Sequence, residues 1–316
     1  MSDVTRSRNK LNDLTNREWL METKSFWLSR AAGDGELSEA VDQFVTWLRQ
    51  TRTPEELDRL LDQPEASFVY SVTPPRSKLK ARHPATFSEA DVERLIRFFS
   101  KEGERVLDPF VGSGSALIAC ASAGRNGVGI ELSPEWAQTA RERVLTEAPA
   151  GSVELEVVEG DAAEVVAGLS DESVDFIVTS PPYWSILTKK AGVKAKAERE
   201  AKGLPTQYSE DARDLGNIQS YDEFLDTLCD ILGACLRPLR AGRFMAVIVS
   251  DFRHGPRFYL YHADLAVRLE GRGWQLKGIT ILAQDNKNLY PFGVGSHFVS
   301  NIHHQYILIL QKPKAP

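Results

Sequence analysis

From residue 88 onward the chain alternates two kinds of segment, and this alternation constrains the fold more than any other feature. Short β-rich runs fall at 105–110, 127–132, 153–159, 174–179, 243–251, 274–283 and 304–312. Helical stretches lie at 88–101 and, between the first six runs, at 114–124, 133–147, 161–169, 220–239 and 258–272. Strands that alternate with helices pair in parallel, because each helix carries the chain back across a face of the sheet. The expected fold is α/β: a doubly wound, Rossmann-like sheet of seven strands. Only a Gly- and Asn-bearing stretch, 285–303, separates the last two runs. That leaves room for one antiparallel strand at the end.

Residues 1–75 differ in character and read as a helical extension to a main domain over 76–316. Leu37, Val41, Phe44 and Leu48 follow three- and four-residue steps, and Thr53-Pro54-Glu55-Glu56 has the form of a helix start. Trp19, Trp27 and Trp47 are expected to pack helices. Thr73-Pro74-Pro75 breaks the chain, and a cationic linker, 76–82, follows.

A chain of 316 residues buries enough surface to need no covalent staple. No apolar run approaches the ~20 residues of a membrane span. Residues 1–10 carry no apolar signal core, and the three cysteines lack metal-ligand spacing. No metal is expected, and the expected setting is cytoplasmic. The net charge of −6 argues against a polyanionic partner until it is divided by region. Residues 88–184 carry 7 basic and 18 acidic side chains, net −11, whereas residues 185–316 carry 18 and 13, net +5. Residues 1–87 balance at 13 each. The acidity therefore sits in one half, and the other is basic.

The candidate site follows from what stands at the strand ends, where ligands bind in an open α/β sheet. Asp108-Pro109-Phe110-Val111-Gly112-Ser113-Gly114 ends the first strand and opens a helix. Its glycines let the backbone turn tightly and approach a ligand. Glu131 ends the next strand 23 residues after Asp108, the spacing of an acid that grips ribose hydroxyls. Asp161-Ala162 follows the third strand, where a carboxylate or backbone group meets an adenine edge. The bland alternative is a tight turn with solvated acids. At the end of the fourth strand stands Ser180-Pro181-Pro182-Tyr183-Trp184. Two prolines stiffen the turn and donate no hydrogen bond, so their carbonyls face outward without competition. A hydroxyl, a carbonyl and an aromatic face suit a planar group with an exocyclic amine; the alternative is a stiffened loop with core aromatics.

The glycine-bearing loop and the Ser-Pro-Pro-Tyr tetrapeptide together resemble the S-adenosylmethionine-dependent DNA amino-methyltransferases of the N4-cytosine/N6-adenine type. The resemblance runs from His83 to about Lys312. It implies that S-adenosylmethionine is bound by His83, Pro84, Ala85, Thr86, Asp108, Pro109, Phe110, Gly112, Ser113, Gly114, Glu131, Leu132, Asp161 and Ala162. It implies that Ser180, Pro181, Pro182 and Tyr183 are catalytic. A tetrapeptide opening on Ser usually accompanies N4-cytosine methylation, and one opening on Asp or Asn usually accompanies adenine. The cofactor motifs precede the catalytic one here, which departs from the order common among N4-cytosine enzymes. The expected substrate is double-stranded DNA with its target base flipped out. N6-adenine methylation, an RNA cytosine target and a non-catalytic cofactor-binding regulator are the alternatives. A partnered restriction endonuclease, and a monomer or homodimer, are compatible with this reading.

Nucleic-acid contacts are expected from Trp184, from Lys189, Lys190, Lys194 and Lys196 in a basic insertion over 185–220, and from Arg253, Arg257, Asn286 and Lys287. For the charged run, a solvated face is the competing explanation.

Overall fold

The computed structural model describes residues 11–14, 19, 22–23, 26–31, 69–73, 77, 79–80, 87–151, 153–184, 211, 213–284 and 298–314. Helix α1 (Glu89–Phe99) starts where Ser88 accepts the Asp91 amide and places acids in its first turn and Arg97 in its last. It is followed by β3 (Arg105–Asp108), α2 (Ser115–Ala123), β4 (Asn126–Glu131), α3 (Pro134–Glu147), β5 (Leu155–Glu159), α4 (Ala162–Gly168) and β6 (Val174–Thr179). Then come α5 (Tyr221–Ala234), β7 (Leu239–Val249), a hairpin of β8 (Phe252–His254) and β9 (Arg257–Tyr259), α6 (Tyr261–Glu270), β10 (Gln275–Gln284) and β11 (His304–Gln311). Serines also cap α3 and α5, and Pro134 stands in the first turn of α3, where its missing N–H costs nothing.

All seven expected strands and six expected helices form. With two further strands, β1 (Phe26–Ala31) and β2 (Val69–Thr73), the sheet order is β2-β1-β10-β11-β7-β6-β3-β4-β5. Strand β11 runs antiparallel to both β10 and β7, and the other pairings are parallel. From β3 the chain winds outward through β4 and β5, then returns to the other side through β6 and β7. A crevice therefore opens at the carboxyl ends of β3 and β6, the switch point where such sheets bind ligands.

The sheet is central because its strands bury both faces. In β6 every residue is buried, and alternate side chains enter different layers. Val106, Phe176, Val178, Ala246, Ile248 and Ile307 pack with α1 and α2. Leu107, Ile177, Met245, Val247, Val249 and Leu308 pack with α4, α5 and α6. Phe99 of α1 stacks on Phe176 with centroids 5.2 Å apart. At ~1.5–3 kcal/mol for each fully buried large aliphatic or Phe side chain, these two layers dominate stability.

Two features correct the expected architecture. The N-terminal segment, read as helical, contributes β1 (Phe26–Ala31) and β2 (Val69–Thr73), so the sheet has nine strands rather than seven. Strand β1 satisfies the backbone groups at the edge of β10 by parallel pairing, Phe26 opposite Ile281. Trp27 is buried in the layer formed with α1, and the Arg94 guanidinium lies 4.6 Å from its ring centroid. Trp19 packs on Phe98 of α1. The expected helix at 36–49 and Trp47 lie outside the described residues. The second correction is the β8–β9 hairpin, which occupies the junction read as the end of one strand and the start of a helix. No helix among the described residues is long and apolar enough to cross a membrane.

Candidate active site

The carboxyl ends of β6, β3, β4 and β5 lie side by side, so Ser180, Asp108, Glu131 and Asp161 line one edge of the sheet. Side chains and backbone stitch these ends together. Asp108 Oδ1 accepts the Thr179 hydroxyl at 2.6 Å and the Phe110 amide at 3.0 Å. The first bond joins the acid of the glycine loop to the residue before the tetrapeptide. Oδ2 of Asp108 is buried and has no hydrogen-bond partner among the described residues. Burial pushes this carboxyl up to about 7, even though the Thr179 and Phe110 bonds pull the other way.

Glu131 faces the same loop. Its Oε2 accepts the Gly112 amide at 3.0 Å, and its Oε1 accepts the Ser133 amide at 2.8 Å. Burial raises it to about 7 against those two bonds. Each oxygen still has a lone pair to offer a hydroxyl. The loop is fixed from below as well. Gly112 and Gly114 have φ of +52° and +87°, the left-handed region that favours glycine. The Val111 amide donates to the Ile130 carbonyl at 2.9 Å. This crossing requires Gly129, since a Cβ there would meet Val111 Cγ2 at 2.5 Å.

Sequence reasoning missed the group that holds this loop. Arg143, 1% exposed, donates to the Ser113 carbonyl at 2.7 Å and pairs with Glu89 at 2.8 Å and Glu147 at 2.9 Å. Glu89 also bonds Lys80 and accepts the Ser115 hydroxyl at 2.9 Å. Burial works to raise Glu89, but Lys80 and Arg143 hold its carboxyl below the ordinary range. No local pattern marks an arginine on a helix as the anchor of a loop 30 residues away.

Asp161 caps α4 by accepting the Ala163 amide at 2.8 Å, and Ala162 is buried beneath it. Pro109, Phe110, Ser113 and Leu132 belong to the same loops, with Phe110 packed on the core. His83, Pro84, Ala85 and Thr86 lie outside the described residues, as do Lys189, Lys190, Lys194, Lys196, Asn286 and Lys287.

In the tetrapeptide, Ser180 is half-buried and Pro181 buried, and the Pro182 carbonyl accepts the Tyr261 hydroxyl at 3.3 Å. Tyr183 is half-buried, with its ring 5.6 Å from Tyr261 and 6.3 Å from Phe252. Burial pushes its phenol up to about 12, against hydrogen bonds with Gln305 and the Ser250 backbone. Gln305 in turn accepts Gln284 Nε2 at 3.0 Å. Nearby, buried Asp251 holds His262 Nδ1 at 2.7 Å, and that ring stacks on Tyr306 at 3.7 Å. This polar wall comes from β7, α6 and β11, whose adjacency only the fold reveals.

Trp184 corrects its expected role. It is 6% exposed, donates Nε1–H to the Ile218 carbonyl at 3.0 Å and packs on Tyr221, His254 and Tyr259. With its polar atom satisfied and its faces covered, it is a core side chain and not a nucleic-acid contact. Arg253 and Arg257 are exposed on the β8–β9 hairpin, next to that aromatic cluster. Cys120, Cys229 and Cys235 are buried, and burial raises each thiol. Among the described residues, no three His, Cys, Asp or Glu side chains converge as a metal site.

A DNA methylase family model matches residues 7–142, and a methyltransferase domain model matches residues 107–191. Type II methyltransferase M.HpaI of Haemophilus parainfluenzae is 42% identical over 71 residues, 22% of this chain and 23% of that protein. Type II methyltransferase M2.DpnII of Streptococcus pneumoniae is 38% identical over 77 residues, 24% of this chain and 29% of that protein. The match therefore spans less than a third of the length of either relative. Among solved structures, TrmN from Thermus thermophilus aligns with a TM-score of 0.46 at 17% identity, covering 91% of this chain and 72% of that one.

Proposed function

We propose that this chain, which is similar to DNA methylases of the N4/N6 type over residues 7–142, transfers a methyl group from S-adenosylmethionine to the N4 amine of cytosine in DNA. The observation that carries the reading is the Thr179–Asp108 bond, which fixes the tetrapeptide against the glycine-bearing loop at the sheet's switch point. The residues fit the cofactor. Asp108 offers a buried acceptor without a partner among the described residues, suited to a cationic ligand, and Glu131 offers carboxylate oxygens for ribose hydroxyls. The turn at Gly112 and Gly114 keeps side chains away from the ligand's path. When bound, S-adenosylmethionine supplies an electrophilic methyl group on a positively charged sulfur.

The protein's own groups act on the base. Tyr183, braced through its hydroxyl and its edge contacts, offers a ring on which a flipped cytosine stacks. The Ser180 hydroxyl and the Pro181 carbonyl have no side-chain partner among the described residues, and they accept the two amine hydrogens. These bonds turn the nitrogen lone pair out of conjugation and toward the methyl carbon. The nitrogen would take the methyl group that S-adenosylmethionine, held by Asp108, Glu131 and the turn at Gly112 and Gly114, would supply on release of a neutral thioether, and the amine's surplus proton would pass to solvent. Holding the two reactants in line supplies much of the acceleration. No thiol is needed, in keeping with the three buried cysteines.

Cytosine is favoured by Ser180, the first residue of the tetrapeptide. Nucleoside mass spectrometry after incubation with DNA and, separately, RNA tests the assignment. N4-methyldeoxycytidine is expected. N6-methyldeoxyadenosine alone would replace cytosine by adenine, and methylation of RNA alone would replace the substrate. Tight cofactor binding with no transfer to either would leave a regulator. Ser180→Ala and Tyr183→Ala are expected to lose transfer while binding cofactor normally.

A further inference from the structure

The β8–β9 hairpin is unusual in its charge. Every other arginine whose side chain is described is ion-paired with a carboxylate. Among the described residues Arg253 and Arg257 have no such partner, and both are exposed. Each lies instead over an aromatic ring. The Arg253 guanidinium is 5.6 Å from the Phe258 centroid, and that of Arg257 is 4.7 Å from the Tyr259 centroid.

The ribbon's pairing places Arg253 and Phe258 on its outer side, while Arg257, opposite His254, is exposed where the strands meet the turn. Phe252 pairs with Tyr259, Arg253 with Phe258, and His254 with Arg257. Successive positions face opposite sides of a two-stranded ribbon. Phe252 and Tyr259 stack at 5.3 Å on the inner side, against Trp184, Tyr221 and Tyr261. The Arg253–Phe258 pair therefore takes the outer side, and Phe258 is 38% exposed. Gly255-Pro256 closes the ribbon, with Gly255 at φ +60° as a tight hairpin turn requires. The inner side touches Tyr183 through Phe252 and Trp184 through His254. The ribbon is thus mounted on the tetrapeptide itself and stands beside the place where the base is held.

We propose that this ribbon is a DNA-contacting element, with Arg253 and Arg257 taking backbone phosphates and Phe258 laying its ring against a base next to the flipped one. The inference rests on the methyltransferase reading for the flipped base. Charge complementarity supplies the argument for a polyanion: two unpaired guanidiniums flank an exposed ring, on a chain whose other described guanidiniums are neutralised. Two-stranded ribbons are a known shape for entering a groove, and stacked rings recruit bases without reading their identity.

The test is binding of the full-length protein to a fluorescein-labelled mixed-sequence duplex of about 30 base pairs, followed by anisotropy from about 50 to 200 mM salt. For Arg253→Ala/Arg257→Ala the slope of log affinity against log salt should become shallower by about two, close to one for each phosphate left unneutralised. For Phe258→Ala the slope should stay as in the wild type, while affinity falls about fivefold to a hundredfold at every salt concentration. A control of equal charge change, Arg97→Ala/Arg105→Ala, removes exposed guanidiniums from the last turn of α1 and the start of β3, and should leave the slope unchanged. An unchanged slope in the Arg253/Arg257 variant overturns the proposal, as does an equal change in the control. Unaltered affinity in Phe258→Ala removes the stacking role. Methyl transfer to DNA by the wild type is measured alongside. Transfer with an unchanged slope sinks the ribbon alone. No transfer, with a slope still shallower by two, sinks the methyltransferase reading and leaves the ribbon as a polyanion contact.

Discussion

Asp108 makes a quantitative link between the site and stability. Its carboxyl is 1% exposed, and burial moves it from 3.8 to about 7 in the folded chain. Between those values the native state keeps a proton that the unfolded chain has released. Stability is therefore lost as pH rises through that window, and the loss levels off above 7. With those two values the penalty is about 1.7 kcal/mol at pH 5 and about 4.3 kcal/mol at pH 8, a difference of roughly 2.5 kcal/mol. Asp108→Asn keeps an Oδ1 acceptor for Thr179 and Phe110 and removes the ionisation. Its amide leaves a buried N–H₂ without an acceptor, which costs ~1–3 kcal/mol. That cost is the same at both pH values and cancels between them. Urea unfolding of the cofactor-free protein at pH 5 and pH 8 should show Asp108→Asn gaining roughly 2.5 kcal/mol on the wild type across the interval. Parallel pH profiles for the two proteins would refute a buried, strongly shifted Asp108. The same charge logic reverses for ligand binding. A cation beside Asp108 favours the ionised form, so wild-type cofactor affinity should rise as pH passes 7, and that of Asp108→Asn should not.

The remaining predictions probe the scaffold. Arg143→Met leaves Glu89 and Glu147 without their buried partner and frees the Ser113 carbonyl. Denaturant unfolding should register a loss of about 3–5 kcal/mol, and isothermal titration should show weakened cofactor binding. Gly129→Ala drives a methyl group into Val111 and should cost about 1–3 kcal/mol, read as a lower thermal midpoint. Trp184→Phe keeps the ring packing but strands the Ile218 carbonyl; about 1–3 kcal/mol should be lost, with DNA affinity reduced no more than the fold loosens. A thiol reagent should leave Cys120, Cys229 and Cys235 unlabelled in the native protein and label all three in urea.

What the sequence determined by itself was local. The β runs and helical faces of residues 88–312 were legible because burial imposes a period of two or about 3.6 on neighbouring residues, whatever lies across the sheet. Ser88, Ser133 and Ser220 cap their helices by the same local logic, since a cap acts on amides two or three residues away. Asp108, Glu131, Asp161 and Ser180 could be placed at strand ends because an α/β alternation fixes where those ends point. The hairpin was present as Phe252 through Tyr259 around Gly255-Pro256, but its three-residue strands are too short to outweigh the neighbouring strand and helix patterns. Tertiary structure decided the rest. Strand β1 is a strand because β10, some 250 residues later, offers it an unpaired edge. Trp184 is core because Ile218, His254 and Tyr259 surround it, not because of its neighbours in the chain. Arg143 and Thr179 acquire their roles from partners 30 and 71 residues away. Such pairings are selected by which surfaces are left to bury and which polar groups are left to satisfy once the sheet has closed, and only the assembled fold contains that information.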